Sequence, residues 1–380
     1  MGRARWSGLS EPSRTVALEV LRHGPLSRSE LARRLDLSAG TLTRLSRPLV
    51  DEGILVESGG ARETPAGRRA RPLTVAVDAD HFVGVRLTGD HAWAVASTLR
   101  ADAVAEAQRP LPGREPDAVV AAVCELVEQV SREVPAVTGL GVALGGQVDA
   151  AGTVLRAPFL GWPTVPLGEL LTSATGLATV VENDVIALTT AESWFGAGRR
   201  VRSLALVTIG PGVGAGLVHD GRVVNSREAG IGLIGHLPLG LPGPVCALGH
   251  RGCCVGVLTD GSILAQAAAT LQRPVDHSDL LDLVITREHP GVNRIADDVA
   301  AGLGRLVAMI ANITQVPLVV VSGEGLVLAE LLQHRVRREA AVYRDPAAPP
   351  VELVFQPSEG SRWARGAAAA AIQRYVSQLT

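Results

Sequence analysis

Lysine is absent: all 36 basic residues of this 380-residue chain are arginine. We read that as the codon bias of a GC-rich genome, although a guanidinium also suits contacts with DNA. No apolar run reaches the roughly 20 residues that span a bilayer, and residues 1–13 hold no apolar core of the kind a secretion signal carries. A membrane protein and a secreted protein are set aside, and a cytoplasmic location is expected. Cysteine is scarce, four in all, and three of the four crowd together as Cys246, Cys253 and Cys254. That placement argues for metal ligation or its remnant before it argues for disulfides. Net charge is nearly missing as well, −2 overall, and no short-period repeat is visible.

Charge is concentrated at one end. Residues 1–72 hold 13 arginines against 8 acidic residues, which marks this end as a candidate face for nucleic acid. Within it, Ser27 and Glu30 have the spacing of a capping box and start a helix whose apolar stripe is Leu31 and Leu35. A tight turn over 36–38 leads into a second helix with Leu42, Leu45 and Leu49 inward, at i, i+3, i+7 spacing. The spacing predicts a helix-turn-helix, with Ser38, Thr41, Thr43, Arg44 and Arg47 offered to DNA and Thr43 and Arg44 placed best for base edges. A packing helix over 14–23 precedes it and stops at Gly24-Pro25. A strand at 54–56 can pair with 73–77 to make a winged version of the motif. Between them, 59–72 carries Arg62, Arg68, Arg69 and Arg71, a wing or linker suited to phosphates or the minor groove. Pro48 predicts a kink after Arg44. A solvated helical hairpin is the plainer alternative.

The remaining residues exceed one small domain, and 47% hydrophobic residues suffice for large cores. Apolar runs at 73–77, 82–87 and 92–97 predict a three-stranded meander. A helix over 117–133, strands at 139–144 and 178–182, and a helix over 184–195 follow. A second set has strands at 203–209, 215–219, 318–321 and 351–355, with helices at 294–313 and 326–338. A small-residue helix at 360–375 closes the chain. Strands alternating with helices in two comparable sets imply an α/β architecture of two lobes around a cleft.

Several motifs stand in a telling order: G-L-G-V-A-L-G-G-Q-V-D at 139–149, L-G-W at 160–162, E-N-D at 182–184 and T-I-G-P-G-V-G-A-G at 208–216. G-L-I-G-H at 232–236 and C-A-L-G-H-R-G-C at 246–253 complete the set. Together they resemble the ROK family of repressors and sugar kinases. The resemblance implies an actin-like, sugar-kinase fold with sugar in the interlobe cleft, preceded in repressor members by a winged helix-turn-helix. The expected division is 1–75 for DNA binding, 76–182 plus 360–380 for one lobe, and 183–359 for the other, which carries the cysteine-rich loop.

The resemblance also implies roles for single residues. Gly146, Asn183, Asp184 and His236 fall at effector-binding positions, with Asp184 where kinase members place their general base. Asn183 and Asp184 equally suit the start of a helix. Kinase members carry D-x-G-x-T in their first phosphate loop, where this chain has Arg86, Thr88 and Asp90 in G-V-R-L-T-G-D. A reversed charge and a lost glycine oppose nucleotide binding, so no nucleotide is expected and no catalytic residue is assigned. The glycines of 210–216 serve a turn between strands as readily as a phosphate. Leu233 and Val255 replace sugar-binding glutamates, which weakens the grip on an ordinary hexose. His236, Cys246 and Cys253 keep the family's zinc spacing, but Leu248 replaces the middle cysteine, and Cys254 or His250 could supply the fourth ligand.

The expected protein is a transcriptional regulator, a repressor by family default. Its partners would be a palindromic double-stranded operator, a second copy or more in a homodimer or homotetramer, and a sugar-like effector. A regulator without a ligand, or one governed by a protein partner, is the alternative, and an ATP-dependent sugar kinase is a further one.

Overall fold

Serine hydroxyls start all three of the first helices in the computed structural model, which describes residues 5–58, 62–63, 69–226, 228–357 and 359–377. Ser10 caps Glu11–His23, Ser27 caps Arg28–Arg34 and Ser38 caps Ala39–Asp51, each accepting from an otherwise unsatisfied backbone amide of the first turn. At Ser27 the capping box is complete, the Glu30 amide donating to the serine hydroxyl at 3.2 Å and the Ser27 amide to the Glu30 carboxylate at 2.8 Å. Val16, Val20, Leu21, Leu31, Leu42 and Leu49 bury fully between the three helices, each worth about 1.5–3 kcal/mol relative to exposure. Leu45 is half-buried and packs on the same cluster, with Ser46 buried beside it. The third helix runs through Pro48 as one element to Asp51.

The strand Leu55–Glu57 pairs antiparallel with Leu73–Val75, in the register Leu55 to Val75, and a bridge from Leu26 to Leu73 adds a third segment. Between them Arg62–Glu63 pairs with Arg69–Ala70 as the wing hairpin. The segment Leu73–Val75 therefore belongs to this small sheet, and the meander of the body starts later than its apolar runs suggested. Its third strand is Ala103–Pro110, an edge strand of alternating alanine and polar residues that carries no apolar run.

The body holds two five-stranded sheets with one shared topology. In the first, His81–Leu87, His91–Ser97 and Ala103–Pro110 form the meander, and Val137–Leu144 and Thr179–Asn183 extend it in parallel from His81–Leu87. In the second, Leu204–Ile209, Val213–His219 and Arg222–Val224 form the meander, with Leu318–Ser322 and Glu352–Phe355 parallel beyond Leu204–Ile209. Every residue of Leu204–Ile209 and Leu318–Ser322 is buried, as central strands covered on both faces require. The helix expected over 326–338 breaks at Leu332 into Leu326–Leu331 and Gln333–Val342.

The closing helix Gly360–Ser377 lies close against the first sheet because both surfaces are small. A Cβ at Gly141 would collide with the Ala367 carbonyl, so glycine on the strand and alanine on the helix set the spacing. The same helix packs on Asp184–Phe195, where Gly366 leaves only 3.0 Å between an added Cβ and the Leu188 amide nitrogen.

Candidate functional site

On the third helix, Ser38, Thr43, Arg44 and Arg47 are exposed and Thr41 is half-buried. Two hydroxyls serve the helix itself. The Ser38 hydroxyl donates to that of Thr41 at 3.0 Å, and the Thr43 hydroxyl donates to the Ala39 carbonyl at 2.9 Å. Arg47 lies 3.8 Å from Asp51 in an exposed pair, whereas Arg44 has no carboxylate partner among the described residues. The helix thus offers a guanidinium and a threonine methyl on an open face, which suits a major groove. Arg62 and Arg69 are described as backbone of the wing strands, and Arg68 lies outside the described residues. Beside the wing, Arg28 and Arg71 reach Glu57 at 3.1 and 3.8 Å.

A second candidate site lies between the lobes. Arg86, from the meander of the first sheet, is 7% exposed and donates to Glu324 at 2.5 Å, just beyond the strand Leu318–Ser322 of the second sheet. Its guanidinium lies 4.4 Å from the Trp363 ring centre and 5.6 Å from that of Trp93. Thr88 and Asp90 close on each other in the strand turn, the threonine hydroxyl donating to Asp90 at 3.0 Å and receiving the His91 amide at 3.1 Å. That hydroxyl, foremost, holds the Asp90 carboxyl below its usual range. In the second glycine loop, a Cβ at Gly216 would collide with the Thr189 hydroxyl, so close packing on the helix Asp184–Phe195 alone demands that glycine.

Gly146, Asn183 and Asp184 come together at the start of that helix. The Asn183 amide donates to the Gly146 carbonyl at 2.9 Å, while its oxygen accepts from the amides of Val185 and Ile186 at 3.0 and 3.2 Å. Asn183 is therefore a cap with its oxygen engaged. Burial pushes the Asp184 carboxyl up, Arg86 offsets part of the rise and Glu324 adds to it. Glu182 is also pushed up by burial, against hydrogen bonds from the Asn183 amide and the Asn225 side chain.

His236 sits in the short turn Leu233–His236 and meets the cysteine-rich loop. Its Nδ1 lies 3.7 Å from the Cys246 sulfur, and the His250 Nδ1 lies 3.7 Å from the same sulfur on the other side. These three ligand atoms all fall within 4.8 Å of one another. A tetrahedral zinc with Zn–S of about 2.3 Å and Zn–N of about 2.0 Å separates its sulfur and nitrogen ligands by roughly 3.5 Å, so the donors fit that ion. Desolvation raises the Cys246 thiol, but the amides of Leu248 and His250 and the buried Cys253 thiol together bring it below its ordinary value. Cys253, expected as a ligand from the spacing, falls outside that group of three donors. Cys254 is different, a core thiol pushed up to about 12 by burial.

The ROK family model matches residues 82–374, and a winged helix-turn-helix DNA-binding model matches residues 18–56. The chain belongs to the ROK family. Among its ROK relatives, the xylose repressor of Caldicellulosiruptor bescii is 25% identical over 340 residues, 85% of each chain. The DNA-binding transcriptional repressor Mlc of Escherichia coli K12 is 28% identical over 307 residues, covering 76% of this chain and 75% of Mlc. A crystal structure of a ROK family transcriptional regulator, a homologue of Mlc, superposes with a TM-score of 0.80 at 22% identity and covers 99% of this chain and 98% of that one. The ROK hexokinase of Thermus thermophilus superposes with a TM-score of 0.65 at 27% identity, covering 77% of this chain and 97% of the hexokinase. The fold is the actin-like one shared by ROK repressors and sugar kinases, with the winged module added in front.

Three partners were not singled out in the sequence. Glu324 follows a buried strand between two glycines, a placement that could have drawn notice. Arg100 and Arg199, which donate to the Val20 and Arg22 carbonyls of the first helix, carry no motif at all.

Proposed function

We propose that this chain is a sequence-specific DNA-binding transcriptional regulator, a repressor, whose ROK body pairs two copies and takes a sugar-like effector in the interlobe cleft. The observation that carries the reading is the open face of Ala39–Asp51, with Thr43 and Arg44 presented on a winged helix-turn-helix. The names of its ROK relatives support repression. Two copies are invoked because a two-fold operator needs two recognition helices about one helical turn apart. Each helix lies in a major groove, Arg44 reads a base edge and the wing arginines steady the complex on phosphates.

The body works as a sensor rather than a kinase in this reading. Arg86 stands where kinase members carry an acid for the metal-nucleotide, and its guanidinium is engaged by Glu324, which supports this reading. Asp184 holds a ligand hydroxyl instead of activating it. Zinc is proposed on His236, Cys246, Cys253 and His250, where it would fix the loop structurally.

A second reading has its own observation. Ile231, Leu233, Leu237, Val245 and Leu248 expose 36–67% of their surface around the cysteine-rich loop, which suits control by a protein partner. Titration of the full-length protein into a random duplex pool at modest salt tests the main reading: sequences should be enriched, and their absence contradicts it. A thermal-shift screen over sugars and sugar phosphates separates the two inputs, because a ligand of the folded state raises the midpoint.

A further inference from the structure

One helix spans the distance from the cleft to the DNA-binding module. Asp184–Phe195, 12 residues and about 18 Å long, begins at Asn183, whose strand partner Leu144 in turn pairs with Leu87, next to Arg86. Its far end carries Trp194, buried in the same apolar cluster as Val16, Val20 and Leu21 of the first helix. The Arg22 guanidinium lies 5.5 Å from the Trp194 ring centre. The turn Ala197–Arg200 that follows sends Arg199 Nε to the Arg22 carbonyl at 2.9 Å. Arg100, after the strand His91–Ser97, donates to the Val20 carbonyl at 3.0 Å. The last carbonyls of a helix carry partial negative charge: Arg199 meets the Arg22 carbonyl, and Arg100 adds to the Gly24 amide on the Val20 carbonyl, so two arginines of the body hold the end of Glu11–His23.

Between its ends the helix is held on several sides. Ile186 to Thr190 and Glu192 to Trp194 are all buried, and Glu192 bridges to Arg362 of the closing helix at 2.8 Å. Thr189 abuts Gly216 of the second sheet, and Leu188 abuts Gly366. A close-packed helix of this kind shifts as a unit, so a displacement at Asp184 is delivered at Trp194.

We propose that the helix Asp184–Phe195 couples the interlobe cleft to DNA binding, with the contacts of Trp194 and Arg199 on Arg22 as the joint through which cleft occupancy reorients the module. The proposal rests on the regulator reading. Coupling of this kind changes an affinity typically 5- to 150-fold.

The test uses the full-length protein and needs no effector. Glu324→Gln disturbs the cleft by loosening Arg86, and Arg199→Gln cuts the joint at a half-exposed side chain. Hydrogen exchange is measured on wild type, both single variants and the double variant. Glu324→Gln should change exchange severalfold at 184–195 and at 18–23, and adding Arg199→Gln should abolish the change at 18–23 alone. Trp194→Phe in place of Arg199→Gln should weaken the transmission in the same direction. No change at 18–23, or a change that persists in the double variant, overturns the proposal. For a duplex enriched from the random pool, Glu324→Gln should shift Kd at least about fivefold, and less than about twofold when combined with Arg199→Gln. Enriched duplexes with unaffected exchange would remove the coupling and leave the regulator. Transmitted exchange with no enriched duplex would remove the regulator and the DNA-binding output, leaving only a link between cleft and module.

Discussion

Arg86 of the first lobe donates to Glu324 of the second at 2.5 Å, and the two ring faces of Trp93 and Trp363 flank its guanidinium. The arginine is nine-tenths buried while the glutamate is about a third exposed, so the pair is unequal. Removing the glutamate charge leaves a buried cation without its counter-ion. Glu324→Gln should therefore cost about 2 kcal/mol. Arg86→Met keeps an unbranched apolar stem between the two rings without the charge and should stay within about 1 kcal/mol of wild type. Urea unfolding curves check both, and equal losses would contradict the assignment of Arg86 as the dependent partner.

Asp184 gives a pH signature. Burial, the leading cause, raises its carboxyl above the ordinary 3.8. A raised carboxyl binds its proton more tightly in the folded chain than in the unfolded one. Its contribution to stability is therefore complete at low pH and declines as pH climbs from 3.8 through the folded value. Asp184→Asn should raise the thermal midpoint at neutral pH, with the gain shrinking to nothing near pH 3. Thermal melts across that range check the sign, and a variant less stable than wild type at pH 7 would contradict it.

The cysteine-rich loop makes a compositional prediction. Protein purified without chelator should carry about one zinc per chain by elemental analysis. His250→Ala should bring that below about half, and Leu248→Cys in the same background should restore it. A chelator should lower the midpoint of wild type, since a structural zinc adds its binding energy to the fold. Wild type with under half an equivalent of zinc would remove the site.

The local features of the DNA-binding module were legible because they are local. Ser27 with Glu30, and Leu42 with Leu49, act within a few residues of each other, and the structure keeps each of them. Leu45 keeps its inward place on the module's apolar cluster while half-buried, and the buried Ser46 beside it carried no apolar signal to mark it. Ala103–Pro110 escaped notice because its strand character comes from pairing with His91–Ser97, not from its own residues. The contacts of the cleft and the joint were out of reach for a different reason. Arg86 and Glu324 lie 238 residues apart, Arg22 and Arg199 lie 177 apart, and Val20 and Arg100 lie 80 apart. A motif search sees none of those distances. At the cysteine-rich loop, the spacing of His236, Cys246 and Cys253 was visible, and the fold draws together His236, Cys246 and His250 while Cys254 lies in the core.

Salt separates the two kinds of arginine contact. Arg71→Ala, beside the wing, should weaken binding across all duplexes and flatten the dependence of log K on log salt by roughly one unit. Arg44→Ala should leave more of that slope intact and cost about 1–3 kcal/mol against its preferred base. Fluorescence anisotropy at several salt concentrations distinguishes them, and identical behaviour of the two variants would contradict a reading role for Arg44.

The most direct measurement compares the duplexes retained from a random pool by the full-length wild type and by Arg44→Ala. Wild type should enrich an inverted repeat whose half-site centres lie about 10–10.5 base pairs apart or a multiple of that, and the variant should keep the repeat while losing preference at one position in each half-site. No enriched sequence, or the same preference in both proteins, would contradict the account.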